Sequence, residues 1–320
     1  MITILSFAKS IPSSARLASL AAALLALGMA PVANAQQSFK TAQEAVDALV
    51  SAAKTGDRKA VLTVLGRDGA DIVSSGDPIA DASARNRVIQ VYDAKHQVVM
   101  EGTDKAVLII GQEDWPFPIP LVRKDSTWRF DTAAGREEIL YRRIGRNELS
   151  AIQACLAYVD AQQEYAEQGV AGNGVYAQRI VSRPGKKDGL YWPAESSADE
   201  SPLGELAASA AAEGYRVGEQ RAPYHGYYYK VLTRQGPNAP GGTLDYIVRD
   251  RMIGGFALVA YPAEYRNSGV MTFLVNHRGD VYEKDLGPNT ARIAADMTAF
   301  NPDNTWRQVT DAAQPPTGAK

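Results

Sequence analysis

The stretch from residue 224 to residue 287 decides the fold of this chain. It contains YHGYYYKVL at 224–232, GGFALVAYP at 254–262 and GVMTFLVNHRGDVY at 269–282. These runs are rich in β-branched and aromatic residues and are bounded by glycine, a composition typical of strands joined by turns. The sequence therefore predicts an antiparallel sheet with strands at 224–233, 243–249, 255–261, 270–276 and 280–284.

One long helix is predicted before this sheet, at 136–168. Its apolar side chains recur at the spacing of a buried helix face, and they are Ile139, Ile144, Leu149, Ile152, Leu156 and Val159. Cys155, the only cysteine, lies beside this stripe. Because free cysteine is among the most buried residue types, we predict a buried structural thiol. A single thiol cannot form an internal disulfide.

The N-terminal part combines helices with a separate group of strands. Helices are predicted at 41–54, 58–65 and 81–92, and β-rich segments at 97–101, 105–111, 118–124 and 127–131. The segment WPFPIP at 115–120 has three prolines that remove ladder donors, so we expect an edge strand or a rigid loop there. Helices plus an antiparallel sheet, followed by a long helix packed on a second antiparallel sheet, predict an α+β fold.

The first 35 residues have the pattern of a secretory signal peptide. Lys9 and Arg16 precede an apolar run at 17–29, and A-N-A at 33–35 is an A-x-A cleavage site. We therefore expect cleavage between Ala35 and Gln36, and a periplasmic or secreted mature protein. The predicted domains are a signal peptide at 1–35, an α+β domain at 36–135, a helix-and-sheet domain at 136–310 and a disordered tail at 311–320.

The charge balance bears on the possible partners. The chain has 34 basic and 36 acidic residues, for a net charge of −2. This mixed, slightly acidic composition does not predict binding to nucleic acid or to an anionic membrane. No stretch after the leader approaches the roughly 20 apolar residues that a spanning helix needs, so we expect no integral membrane segment in the mature chain.

The sequence lacks the common catalytic and nucleotide-binding motifs, including G-x-S-x-G, H-E-x-x-H, the Walker loop and G-x-G-x-x-G. Ser51 and Lys54 match the Ser-x-x-Lys pattern of penicillin-recognising enzymes, but the S-D-N and K-T-G elements that complete such a site do not occur. His96, His225 and His277 lack the spacing of metal ligands. We therefore predict no catalytic residue, no metal and no cofactor.

Aromatic residues are the candidates for contact with a ligand. His225 and Tyr227 could belong to a ligand-facing cluster, because Tyr and His combine apolar area with polar tips. The other interpretation is an ordinary strand whose tyrosines alternate between its two faces. Trp115 and Phe117 are the second pair of candidates, as the cover of a hydrophobic pocket in the N-terminal domain.

From residue 147 onward the chain resembles the soluble heads of type IV pilins and type II secretion pseudopilins. NELSAI at 147–152 resembles the C-terminal half of the pilin spine helix. GYYY at 226–229, GFALVAYP at 255–262 and SGVMTF at 268–273 resemble successive strands of the pilin sheet. The resemblance implies a β-meander with one face packed on the helix.

The start of the long helix departs from the pilin pattern. REEILYRR at 136–143 carries five charges in eight residues, and such a segment cannot lie in lipid or in an apolar filament core. A charged domain therefore stands where pilins have their membrane-embedded half. This departure favours the interpretation that the protein is a soluble binding partner of other proteins and not a pilus subunit.

Two further resemblances concern larger parts of the chain. Residues 40–135 resemble the nuclear-transport-factor-two-like fold, through a helical start containing Gly56-Asp57 and a final WRFD strand at 128–131. Most of the mature chain is similar to an uncharacterised family of exported bacterial proteins, domain of unknown function twenty-nine fifty. WRFD, RRIGRNE at 142–148, GLYWP at 189–193, YHGY and GGFA carry this similarity. The family implies no activity, substrate or catalytic residue.

These observations lead to one functional interpretation and two alternatives. The leading interpretation is an exported, non-enzymatic protein of the cell envelope that acts by protein–protein interaction, in an assembly or accessory role. Its partner would be another envelope or secreted protein. The alternatives are a small-ligand binder with a pocket in the N-terminal domain, and a hydrolase of envelope polymers, which would need polar residues that converge in a cleft.

Overall fold

The computed structural model describes residues 36–194, 196, 199–216 and 222–310, and it confirms the α+β fold. The predicted leader and the predicted disordered tail lie outside these residues. From Gln36 onward the chain forms one compact unit. Its described residues build two hydrophobic cores, which we call the N-terminal core and the C-terminal core.

Four helices open the described chain: α1 (Ala42–Thr55), α2 (Arg58–Leu65), α3 (Ala70–Val73) and α4 (Pro78–Ala94). The Oγ1 of Thr41 accepts a hydrogen bond from the Glu44 N–H and so caps α1, as its sequence predicts. The helix predicted at 81–92 begins earlier, at Pro78, because Asp77 caps it and proline is favoured in the first turn.

The first sheet contains β1 (His96–Met100), β2 (Lys105–Ile110), β3 (Trp115–Pro116), β4 (Leu121–Lys124) and β5 (Thr127–Phe130). Its order is β1-β2-β4-β5, and β3 pairs with β2. The short β3 confirms that the proline-rich segment contributes only an edge strand. Leu108, Leu121 and Phe130 are buried in the N-terminal core together with Val46 of α1.

One continuous helix, α5 (Thr132–Glu167), links the two cores. It begins four residues before the predicted start at 136, because Asp131 caps it through the Ala134 N–H. Near its start, a Cβ on Gly135 would lie 2.6 Å from the Pro118 carbonyl oxygen, so only glycine fits there. In its second half Cys155 is fully buried in the C-terminal core, which confirms the prediction of a structural thiol.

The C-terminal half contains two helices and ten strands in the described residues. The helices are α6 (Gly204–Ala212) and α7 (Thr290–Asp296). The strands are β6 (Tyr227–Leu232), β7 (Arg234–Gln235), β8 (Leu244–Asp245), β9 (Ile247–Val248), β10 (Arg251–Met252), β11 (Ala257–Pro262), β12 (Met271–Asn276), β13 (Val281–Asp285), β14 (Ala299–Phe300) and β15 (Arg307–Gln308).

Strands β15-β13-β12-β11-β6 form one antiparallel sheet in that order. Helix α5 contacts β11 and β12, and α7 and β14 contact this sheet as well. The Tyr158 hydroxyl of α5 reaches the Ala257 carbonyl, and Lys230 of β6 bonds the Ala295 carbonyl of α7. Nearly every residue of β11 and β12 is therefore buried, as in a sheet covered on both faces.

Three of the predicted strands differ clearly from those observed, and one of them, predicted at 118–124, begins only at Leu121. The strand predicted at 243–249 is broken at Tyr246, so that β8 pairs with β7 while β9 pairs with β10. The strand predicted from 224 begins at Tyr227, because His225 has a φ of 49° and forms a turn with Gly226. A turn at Arg278-Gly279-Asp280 joins β12 to β13, and Gly279 supplies its positive φ of 79°.

Helix length and hydropathy within the described ranges bear on membrane insertion. None of the helices there combines the length and the apolar character of a membrane-crossing segment. Even α5, with 36 residues, carries charges along its first half.

Candidate functional site

A cluster of polar side chains lies where the two cores meet. It consists of Asp77, Arg143, Tyr215, His225 and Asn267, and we call it the junction cluster. In that order, they lie in the loop before α4, in α5, in the segment after α6, in the turn before β6 and in the loop between β11 and β12. Each makes polar contacts with a distant part of the chain, so the cluster is the candidate site best defined by geometry.

Asp77 is the most buried member, with 1% of its surface exposed. One carboxylate oxygen accepts hydrogen bonds from the N–H groups of Ile79 (3.2 Å) and Ala80 (3.0 Å), which caps α4. The other oxygen accepts from the Tyr215 hydroxyl and from the Gly226 N–H, both at 2.9 Å. Four donors satisfy this carboxylate, so its role is to hold the turn before β6 against the start of α4.

Arg143 connects α5 to the segment at 71–77, which contains the end of α3 and the loop after it. Its guanidinium donates to the carbonyl oxygens of Asp71 and Ile72 and to the Oδ1 of Asn267, each at 2.6 Å. Burial lowers the pKa of Arg143, and the carboxylate of Asp81 counteracts this shift. Because arginine titrates far above neutral pH, the guanidinium stays charged and keeps all its donors.

Asn267 completes the contact from the opposite side. Its side-chain amide donates to the Ser74 carbonyl (2.8 Å) and to a carboxylate oxygen of Glu264 (2.7 Å). Gly76 lies against Glu264, and a Cβ added to it would be 2.8 Å from the Glu264 Cγ. The φ of Gly76 is also positive, at 84°, so this position requires glycine for two reasons.

Two neighbouring residues of α5 position the adjacent sheet. The Asn147 side chain donates to the Ser268 carbonyl at 2.9 Å. One carboxylate oxygen of Glu148 accepts from the N–H groups of both Val270 and Met271 at 2.9 Å. These bonds fix the beginning of β12 on the helix.

His225 is a partly exposed member of the junction cluster. Its Nε2 lies 3.4 Å from a carboxylate oxygen of Glu213, and 28% of the side chain is exposed. Its ring contacts those of Tyr224 (4.1 Å between centroids) and Tyr215 (5.8 Å).

The tyrosines around His225 remain protonated at neutral pH. Burial raises the pKa of Tyr224 to about 12. Burial, and then the neighbouring carboxylate of Asp77, raises the pKa of Tyr215 still further. Tyr215 therefore donates a hydrogen bond to Asp77, and its oxygen accepts one from the backbone N–H of His225 at 3.3 Å.

The structure does not bring the four predicted ligand residues together. Tyr227 is fully buried in the C-terminal core and donates to the Met271 carbonyl at 2.9 Å. Trp115 and Phe117 pack on the N-terminal core, with their rings edge to face at 6.4 Å. The guanidinium of Arg142 lies over the Trp115 ring at 5.8 Å. His225 is thus the only one of the four in the junction cluster.

The Ser-x-x-Lys residues lie elsewhere, along an open groove of about 510 Å³. Residues of α1 and α4 line this groove: Asp47, Val50, Ser51, Lys54, Thr55 and Tyr92. The Lys54 amine is 2.7 Å from the carboxylate of Asp93, and both side chains are about half exposed. An exposed lysine in an ion pair lacks the desolvated environment that would make it a general base.

The histidines have separate aromatic neighbours. His96 stacks on Tyr92 at 3.8 Å between ring centroids, whereas His277 meets Tyr246 edge to face at 6.3 Å. Burial lowers the pKa of His277. The described part of the chain contains no group of three His, Cys, Asp or Glu side chains that could hold a metal ion.

Sequence reasoning missed most of the junction cluster. Asp77 had a usable signal, because Asp followed by Pro is typical of a helix start. Tyr215 and Asn267 had none, because they are far apart in the chain and belong to no motif. Arg143 stands in the RRIGRNE motif at 142–148, but that motif implied no role for it.

Comparison with known proteins gives a family. The model of the family described as "Protein of unknown function (DUF2950)" matches residues 36–309. The chain belongs to the DUF2950 family. The match confirms the resemblance drawn from the sequence motifs, and it includes every residue of the junction cluster. No curated protein and no solved structure matches this DUF2950 member, and its likeness to pilins stays a prediction.

Proposed function

We propose that this DUF2950 protein is exported to the cell envelope and acts there through protein–protein contacts, in an assembly or accessory role. The position at which the folded unit begins supports export. The compact unit and the family match both begin at residue 36, directly after the A-x-A motif at 33–35. Gln36 is already part of the fold, because its side-chain amide donates to the carbonyls of Val64 and Phe130.

The observation that favours protein contacts is a small hairpin with exposed aliphatic side chains. Leu244, Val248 and Ile253 lie within ten residues of one another and are 43%, 45% and 48% exposed. Exposed apolar residues that are close together on a soluble protein are typical of interaction sites. We call this segment, residues 244–253, the apolar hairpin.

The apolar hairpin is held rigidly at its base. Tyr246 and Met252 within it are fully buried, and the Tyr246 hydroxyl contacts the side chain of Gln235 at 3.0 Å. Met252 also pairs with Tyr176 in a backbone bridge. A rigid segment loses little conformational entropy when a partner covers it, so its apolar side chains can contribute most of their burial energy to binding.

The export step is tested by N-terminal sequencing of the protein recovered from the envelope fraction. We expect a chain that begins at Gln36. Recovery of a chain that still begins at Met1 in the cytoplasmic fraction would overturn the proposal.

The contact step is tested by cross-linking in living cells followed by purification. We expect the double variant Val248→Glu/Ile253→Glu to lose most of the cross-linked protein that the wild type retains, since a charge there prevents burial. Val88→Glu is the matched control, because Val88 is exposed but lies on α4. Equal recovery with all three proteins would exclude the apolar hairpin as the contact.

A further inference from the structure

The first sheet has one open edge and one covered edge. At the β5 edge, Phe39 pairs with Trp128 through two backbone hydrogen bonds of 2.9 and 2.8 Å. At the other edge, β1 pairs only with β2. Four of its five residues are exposed, and Val98 is half-buried. The two edges therefore differ in how their backbone groups are satisfied.

The free backbone groups of β1 can be assigned from the bonds at its ends. The Gly111 N–H bonds the Lys95 carbonyl, and the Glu101 N–H bonds the Lys105 carbonyl, both at 2.8 Å. Since backbone direction alternates along a strand, the N–H and C=O groups of His96, Val98 and Met100 point away from β2. Within the described ranges, no backbone or side-chain group hydrogen-bonds to these outward groups.

The usual protections of an edge strand are missing from β1. Its sequence, HQVVM, has no proline, and its register with β2 is continuous without a bulge. Val99 and Met100 are 40% and 50% exposed. An exposed apolar edge of this kind is a template for another strand.

We propose that two copies of this chain pair through β1, antiparallel about a twofold axis at Val98. In this register Val98 faces Val98 of the partner subunit, and His96 faces the partner's Met100. Because the outward groups belong to these residues, the pairing forms about six backbone hydrogen bonds. The two sheets then continue as one across the axis.

The flanking charges select this register. Lys95 and Glu101 lie three residues on either side of Val98, so Lys95 faces the partner's Glu101 at both ends of the strand pair. A shift of the axis to residue 97 would lose this pairing, because Glu101 would then be level with position 93, which lies in α4 and not on a strand. Within one copy of the chain, Lys95 forms an ion pair with Asp114, and Glu101 forms one with Lys105. Both ion pairs are exposed and therefore contribute little to stability.

The expected affinity is modest. A strand pair of five residues buries less surface than a standard stable interface, so we expect a dissociation constant in the micromolar range. The pairing goes beyond the proposed contact at the apolar hairpin and does not depend on it, since the two surfaces share no residue.

The test is sedimentation equilibrium of the exported protein, from about 1 to 200 µM. We expect the wild type to dimerise, and Lys95→Glu and Glu101→Lys each to weaken the dimer about tenfold, because each places two pairs of like charges in contact. The double variant Lys95→Glu/Glu101→Lys should regain the dimer. A mixture of the two single variants should form a heterodimer, since every reversed charge then faces its opposite.

Lys124→Glu is the control, because Lys124 is an exposed residue of the same sheet on β4. It should leave the dimer unchanged. Hydrogen exchange gives a second measurement: the Val98 and Met100 N–H groups should become protected as the concentration rises. A monomer at every concentration, or a dimer that tolerates both single reversals, would overturn the proposal.

Discussion

Asp77 joins two chain segments through four hydrogen bonds, and its removal should be costly. We expect Asp77→Ala to lower the free energy of unfolding by about 3 kcal/mol. The substitution removes the cap of α4 and leaves the Gly226 N–H and the Tyr215 hydroxyl without their acceptor. Urea unfolding followed by circular dichroism measures this difference.

Asp57 provides a matched comparison for Asp77. It caps α2 through the Lys59 N–H at 2.8 Å, but it is exposed, and its carboxylate bonds no distant segment among the residues that the structure describes. Asp57→Ala should therefore cost only about 1 kcal/mol, the usual loss for a helix cap. If both variants lose the same stability, the bonds of Asp77 to Tyr215 and Gly226 contribute nothing.

At the level of the elements, Arg143 helps to attach α5 to the segment at 71–77. Arg143→Ala would leave the carbonyls of Asp71 and Ile72 without their donor. We expect faster hydrogen exchange at 71–77 and at 264–268, with a loss of about 2–4 kcal/mol in the free energy of unfolding. Mass spectrometry after deuterium labelling locates the change.

The neighbouring Arg142 is the control for this experiment. It forms an exposed ion pair with Glu138 one turn earlier and lies over the Trp115 ring. Arg142→Ala should cost less than about 1 kcal/mol and leave exchange at 264–268 unchanged. Faster exchange there in both variants would mean that the effect of Arg143 is not specific.

Most elements were predictable because their signals are local. Helix α2 was predicted at its observed bounds, since Asp57 and Gly66 mark its two ends. The break at Tyr246 was not predictable, because that ring is buried among distant residues such as His277, whose ring it meets edge to face. Strands β14 and β15 were missed for a related reason, since each has only two residues and is held by its neighbours.

The candidate site was harder to predict than the fold. His225 was identified because it stands in an unusual aromatic run, but its partner Glu213 lies twelve residues earlier in the chain and gave no signal. Tyr227 belongs to the same run and has a structural place in the core. Composition can indicate that an aromatic cluster exists, whereas only packing decides which of its side chains stay accessible.

For the whole molecule, we expect stability to fall at alkaline pH. Burial raises the pKa of Cys155 from 9.0 to about 12, and that of Tyr246 from 10.0 to about 12. The unfolded chain releases these protons at lower pH than the folded one, so the stabilisation is complete below pH 9 and is lost as the pH rises toward 12. Urea midpoints at a series of pH values measure the loss.

Tyrosine variants identify the groups responsible for this loss. Tyr246→Phe should make the decrease in the free energy of unfolding at alkaline pH shallower. The variant lacks the hydroxyl whose pKa differs between the folded and the unfolded chain. Tyr141→Phe is the control, since Tyr141 is 78% exposed and its environment resembles that of the unfolded chain. A decrease that stays equally steep in Tyr246→Phe would exclude Tyr246 as a source.

The position of α5 between the cores also determines the order in which the chain can fold during its synthesis. The first half of the helix finds its partners at once, because Leu65 and Ile119 precede it in the chain. The second half must wait for β11 and β12, roughly 100 residues later, which at 5–20 residues per second is about 5–20 s. During that interval the stripe around Cys155 is exposed on the nascent chain, where a chaperone can hold it unfolded.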